Sequence, residues 1–269
     1  MTQDLTPQAI MREILQQVES GELTLPTLPS MAQKILKANQ DDSLTTESLT
    51  NLIEQDPAIA AHLVRIANSP LVGSKVDITD LKTAIGLFGV SYCSQLAISL
   101  ALKQLFRARN KNVSGLIRKT WEQSSRLASL CMVMAKDYDI NPGSAYLAGL
   151  LHKIGALPIL RWLDNQDSIP LTSEQIQQLL EQHQAQLAEQ LLDDWQFPPS
   201  LCCVPHNYLN MDHNGKDRAD LTDLVASAYF FLSEQRKDWQ DCKVLERMGV
   251  TTEEIQKRMM AWQTKATSV

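Results

Sequence analysis

Apolar residues recur at helical spacing along almost the whole chain. Thr6 followed by Pro7 is an N-cap with proline in the first turn, and Ile10, Ile14, Leu15 and Val18 then form one stripe. The two prolines of Leu25-Pro26-Thr27-Leu28-Pro29 end that helix, and Ser30 can cap the next, which carries Met31, Ile35 and Leu36. Residues 39–44 predict a loop, and Leu49, Leu52 and Ile53 mark the following helix. Asp56-Pro57 repeats the cap-and-proline signature before Ile59, Leu63 and Ile66, with an end predicted near Asn68-Ser69-Pro70. Asp80 caps a helix through Leu81, Ala84, Ile85 and Phe88 that Gly89 ends, and Ser91 starts a long apolar helix running to about Arg107.

The second half continues in the same style. A helix is predicted over roughly 115–137, and Asn141-Pro142 opens another with Tyr146, Leu147, Leu150 and Leu151. Thr172 with Gln175, and Thr251 with Glu254, fit capping boxes. The first precedes a stripe of Ile176, Leu179, Leu180, His183, Leu187 and Leu191, the second one of Ile255, Met259 and Trp262. Pro198 and Pro199 interrupt before a short helix toward His206, residues 212–216 predict a turn, and 220–236 a helix. Only Lys75 to Ile78 approaches strand-like alternation, and it is too short to pair. The expected fold is all-α, with about eleven or twelve helices.

Composition narrows the class. At 44% hydrophobic and 21% charged, the chain can bury a core and is not a disordered segment. A net charge of -6 argues against broad, nonspecific nucleic-acid binding. No apolar run approaches the ~20 residues of a membrane helix, and the polar start lacks signal-peptide character, so a cytoplasmic protein without membrane partners is expected. The five cysteines include no Cys-x-x-Cys pair, and buried or half-buried thiols are the reading.

Several stretches, taken in order, resemble the HDOD family. Leu25-Pro26-Thr27-Leu28-Pro29 is similar to its LPxLP entry. Leu52 to Ala58, followed by Ile66-Ala67-Asn68-Ser69, is a second similar stretch. Ala84-Ile85-Gly86-Leu87-Phe88-Gly89 is similar to its AIxxLG. Residues 146–155, from Tyr146 to Gly155, are close to its FLAGLLHDIG. His183, Trp195-Gln196-Phe197-Pro198 and Pro205-His206-Asn207 complete the set. The resemblance spans about residues 22–230, with an N-terminal helical lobe over about 1–108, an HD-like lobe over 109–236, and a tail at 237–269. It implies a helical bundle packed on a degenerate relative of the HD phosphohydrolases, and a role in signalling.

The HD superfamily holds divalent metals with a first His, a His-Asp pair and a late Asp. The resemblance puts the pair at His152-Lys153, the first His at Gln123 or Ser124, and the late Asp near Tyr229, with Asp223 two turns away on a different face. A protonated lysine offers no lone pair and repels a dication. Three of four ligand positions are thus lost, and no metal or other cofactor is expected. His152, His183, His206, Asn207, Gln123 and Lys153 remain as candidate pocket residues, His206 foremost, while His62 and His213 are read as surface residues. Trp121, Trp162 and Trp195 are read as core anchors.

Lys103, Arg107, Arg109, Lys111, Arg118 and Lys119 form a run with no acidic residue before Trp121. It is a candidate anion-binding stretch, weighed against a solvated helix end and loop. The expectation is a non-catalytic regulatory module that binds a signalling protein or a small anionic ligand, with homodimerisation open. The alternatives are a divergent metal-dependent phosphohydrolase using three histidines, and a nucleotide or nucleic-acid receptor using the basic stretch. The apolar face of the last helix is expected to dock on the body or on a second copy.

Overall fold

The computed structural model describes residues 6–40, 44–68, 77–166, 171–213, 215, 217–233 and 242–266. Within them the chain forms fifteen α-helices and no strand. The first six are α1 (Pro7–Glu19), α2 (Ser30–Gln40), α3 (Thr46–Ile53), α4 (Pro57–Ala67), α5 (Leu81–Phe88) and α6 (Val90–Lys103). A 3-10 turn at Gln104–Phe106 ends α6 earlier than its apolar run suggests. Then come α7 (Lys111–Ala135), α8 (Pro142–Leu151), α9 (Ala156–Asp164), α10 (Ser173–Asp194), α11 (Pro199–Cys202) and α12 (Val204–Asn207). The last are α13 (Leu221–Leu232), α14 (Lys243–Met248) and α15 (Thr252–Ala266). The helices outnumber the expectation because α9 follows α8 as a separate helix, Pro199 and Pro205 each restart a single four-residue turn, and a short α14 precedes the final helix. The expected features at Ser69, Pro70, Lys75, Asn214, Lys216 and residues 234–236 lie outside the described residues. No single described helix is long and apolar enough to cross a membrane.

The local signals act as their chemistry requires. Thr6, Asp56, Asp80 and Asn141 accept backbone N–H bonds at helix starts. Both expected capping boxes close, Thr172 with Gln175 and Thr251 with Glu254.

Contacts divide the chain into two units, one of residues 1–26 and 106–267, the other centred on 27–105. The expected lobe division near residue 108 grouped α1 with the helices that follow it. Instead Ile10, Met11 and Ile14 of α1 share a core with Ile159, Leu163 and Leu179 of α9 and α10. In the smaller unit, α2 to α6 pack together. There the Asn68 amide donates to Ile78 O at 2.7 Å and accepts from Ile78 N at 2.8 Å, a clamp that fastens the end of α4 to the approach to α5.

Two glycines set close approaches in the larger unit. A Cβ on Gly149 would stand 2.6 Å from Ala128 Cα, so α8 lies against the α7 backbone. A Cβ on Gly155 would stand 1.8 Å from the Gln184 carbonyl oxygen, so the turn after α8 is pressed on α10. The start of α7 is capped from far away: buried Asp164 accepts from the backbone N–H of Arg109 at 3.0 Å and of Asn110 at 2.8 Å. The tail belongs to this unit. Ile255, Met259 and Trp262 are buried, and the Trp262 indole donates to Asp137 at 2.9 Å beside α7. Trp121, Trp162 and Trp195 are buried, and Trp195 Nε1 donates to the carbonyl of Pro26 at 3.1 Å. All five cysteines are free; Cys203 is exposed, unlike the expectation, because α11 ends there on the surface.

Candidate functional site

A cleft of about 880 Å³ opens in the larger unit between α7, α10, α13 and the turn after α8. Lys119 and Gln123 stand one helical turn apart on α7 and line one wall. Lys153 and Ala156 come from the turn that follows α8 and the start of α9. From α10 come Gln177, Glu181 and Gln184, spaced so that one polar face of the helix meets the cleft. Tyr208, Tyr229 and Phe230 close the far side.

The floor is aromatic. His152 caps the end of α8, is 1% exposed, and donates from Nδ1 to Gly149 O at 2.7 Å. Its ring meets Tyr208 edge-on at 5.0 Å and Tyr229 at 6.1 Å, and the two tyrosines meet each other at 5.0 Å. The Tyr208 hydroxyl accepts from the buried Gln184 amide at 3.0 Å. Burial drives the His152 pKa down to about 3, helped by the neighbouring Lys153 charge and opposed by the Gly149 bond, so the ring is neutral. Burial also pushes the Tyr208 and Tyr229 hydroxyls up.

Lys153 is half-buried, and its Nζ stands 5.0 Å from the centroid of the Tyr229 ring, a cation–π contact. Burial lowers its pKa, Glu181 opposes that, and Lys119 adds to it. Where the resemblance puts metal ligands, the chain has Gln123 or Ser124, the neutral His152, the Lys153 ammonium and Tyr229. This donor set does not fit a divalent cation, because it has no carboxylate and carries a positive charge at its centre.

The other candidates are dispersed. His206 and Asn207 do not line the cleft. His206 pairs with Glu189 at 2.8 Å on an exposed face, and Asn207 donates to Cys203 O, because the α12 turn directs the next residue, Tyr208, inward instead. His183 is half-buried on α10, outside the cleft lining, and its Nε2 has no partner among the described residues. The three histidines do not gather their ring nitrogens. Among the described residues, the group with metal-like spacing is His213, Asp220 and Asp223. That group is already filled by Arg247, whose guanidinium donates to Asp223 at 2.6 Å and to His213 Nε2 at 3.1 Å. His213 is thus a buried residue, not the surface residue expected, and His62 is half-buried.

The basic run also disperses. Lys103 belongs to the smaller unit, while Arg107, Arg109, Lys111, Arg118 and Lys119 belong to the larger. All are exposed; Arg118 faces Glu122 at 3.8 Å, and Lys119 alone lines the cleft. The sequence reading missed Tyr208, Gln184 and Glu181. The spacing of Gln177, Glu181 and Gln184 along one helix face was the available signal.

The sequence pattern of the HDOD domain matches residues 25–208, more than half of the chain. The chain belongs to the HDOD family. Among solved structures, this HDOD chain is similar to one from Shewanella amazonensis SB2B whose name proposes a metal-dependent phosphohydrolase. The two are 23% identical, with a TM-score of 0.78 and coverage of 97% of this chain and 98% of that one. An HDOD domain protein of unknown function from Geobacter sulfurreducens is 18% identical, with a TM-score of 0.68 over 94% and 96% of the chains. At these identities the likeness establishes the fold. A curated relative, an uncharacterized protein of Treponema pallidum (strain Nichols), is 22% identical over 216 residues. That match covers 76% of this chain and 41% of the relative, so the chain spans about two fifths of the length of the curated protein it matches.

Proposed function

We propose that this HDOD chain is a non-catalytic regulatory module of a signalling system, one that transmits a state to a partner protein rather than turning over a substrate. The observation that carries this reading is the Lys153 ammonium above the Tyr229 ring. In two of the slots that would grip a catalytic cation, Lys153 repels it and the Tyr229 ring is already taken by that ammonium. His152, the remaining ligand type, is walled by two tyrosines. A structural relative from Marinobacter aquaeolei VT8 carries a name that proposes signal transduction, in keeping with this reading.

The test is metal content together with turnover. Purified protein is analysed for bound transition metals and magnesium, then assayed on phosphomonoesters, phosphodiesters and cyclic nucleotides with manganese or magnesium added. The expected result is no stoichiometric metal and no turnover above the blank. One metal per chain with chelator-sensitive hydrolysis would overturn the proposal.

A further inference from the structure

The polar groups of the cleft fall into two sets. In the first, each group already has a partner: Gln177 Nε2 donates to Glu181 at 2.8 Å, and Gln184 donates to Tyr208. In the second, Lys119, Lys153 and Gln123 have no hydrogen-bond partner among the described residues, and the carboxylate of the lining that acts on Lys153 is Glu181, already bonded to Gln177. A half-buried ammonium is costly, and the Tyr229 ring and the Glu181 charge together offset only part of that cost. The unmatched donors also converge. Lys119 and Gln123 share one face of α7, and Lys153 is near enough to Lys119 for their charges to interact.

The charges of the cleft are Lys119, Lys153 and Glu181, which leaves one net positive charge. Beside the donors lies an apolar half formed by Leu116, Ile176, Leu180 and Phe230. A complementary guest has one negative charge, several acceptor oxygens for three separate donors, and a flat apolar body. A carboxylate presents two oxygens in one plane, whereas the two charged and two ester oxygens of a phosphodiester point in four directions, and a phosphomonoester brings a second charge that the cleft does not balance. A phosphodiester matches both counts, and a cleft of about 880 Å³ holds a mononucleotide.

We propose that the cleft of Lys119, Gln123 and Lys153 is a recognition site for a cyclic mononucleotide, its phosphodiester between the two lysines and its base against the apolar half. The assignment rests on the non-catalytic reading and supplies its input.

Titration calorimetry with adenosine and guanosine 3′,5′-cyclic monophosphates, in chelator and at low salt, tests the site. Binding of at least one is expected, with uncharged adenosine and guanosine about tenfold weaker or more. Lys119→Met and Lys153→Met each weaken binding by about tenfold or more, whereas Arg118→Met, on the same helix but outside the lining, leaves it unchanged. Lys119 is exposed, so its variant folds whatever happens to Lys153. Absence of binding by both nucleotides, equal binding of the nucleosides, or lysine variants that bind like the parent would each overturn the inference and leave the non-catalytic reading standing. Binding that requires added manganese and ends in a 5′-nucleotide product would overturn the non-catalytic reading instead.

Discussion

His152 is buried at the end of α8, and its environment gives it a measurable signature. Its ordinary pKa of 6.5 is driven to about 3 by burial, chiefly, and by Lys153. Between those values the unfolded chain binds a proton that the folded ring refuses, so the unfolded state gains as pH falls. The stability tied to this ring is complete above pH 6.5 and lost as pH drops toward 3, at up to about 1.4 kcal/mol per pH unit. His62 and His183 shift the same way, so substitution is needed to isolate His152. Urea unfolding from about pH 7.5 to about pH 5.5 should show His152→Gln losing about 1 kcal/mol less than the parent. An unchanged slope would mean that the folded ring accepts the proton. The pair His152-Lys153 was legible in the sequence because its neighbours carry the family pattern. Its ring partners were not, since Tyr208 and Tyr229 arrive from distant segments and edge-on packing leaves no local spacing to read.

At the scale of elements, legibility follows the reach of the interaction. The caps at Thr6, Asp56, Asp80, Thr172 and Thr251 act within three residues and were readable one helix at a time. The cap of α7 was not, because its acceptor, Asp164, stands 55 residues from Arg109. The same holds for α13 and α14, which are joined by Arg247 on Asp223, with His213 accepting from the same guanidinium. Asp223 is fully buried, so removing only the cation strands a carboxylate. Arg247→Met should therefore cost about 3–5 kcal/mol in chemical denaturation, and adding Asp223→Asn should recover most of it. Single and double variants of equal stability would show the pair to be dispensable to the packing of the two helices. The node also explains why a His-Asp-Asp spacing that looks suited to a metal serves structure here: the Asp223 carboxylate is already paired with an internal cation.

For the molecule as a whole, the helix that lies before the family match completes the core of the larger unit. The HDOD match begins at residue 25, after α1, yet Ile10, Met11 and Ile14 are at most 3% exposed and pack with residues of α9 and α10. The sequence identified the apolar stripe of α1 but not its destination. An amphipathic face states that a helix must be covered, and chain order suggested the nearest helices as the cover. Burial of three large apolar side chains contributes about 1.5–3 kcal/mol each as an upper estimate, a large share of the roughly 5–15 kcal/mol that holds a typical domain folded. A chain lacking residues 1–26 should therefore melt about 10 °C lower or more. Its fluorescence should shift to the red as Trp162, buried in the same cluster, meets water. The separate peptide of residues 1–26 should reverse both changes in proportion to its concentration, because a segment that binds only the folded body stabilises it by mass action. A truncated chain with the parent's melting temperature and Trp162 emission would mean that the α9 and α10 face closes without α1.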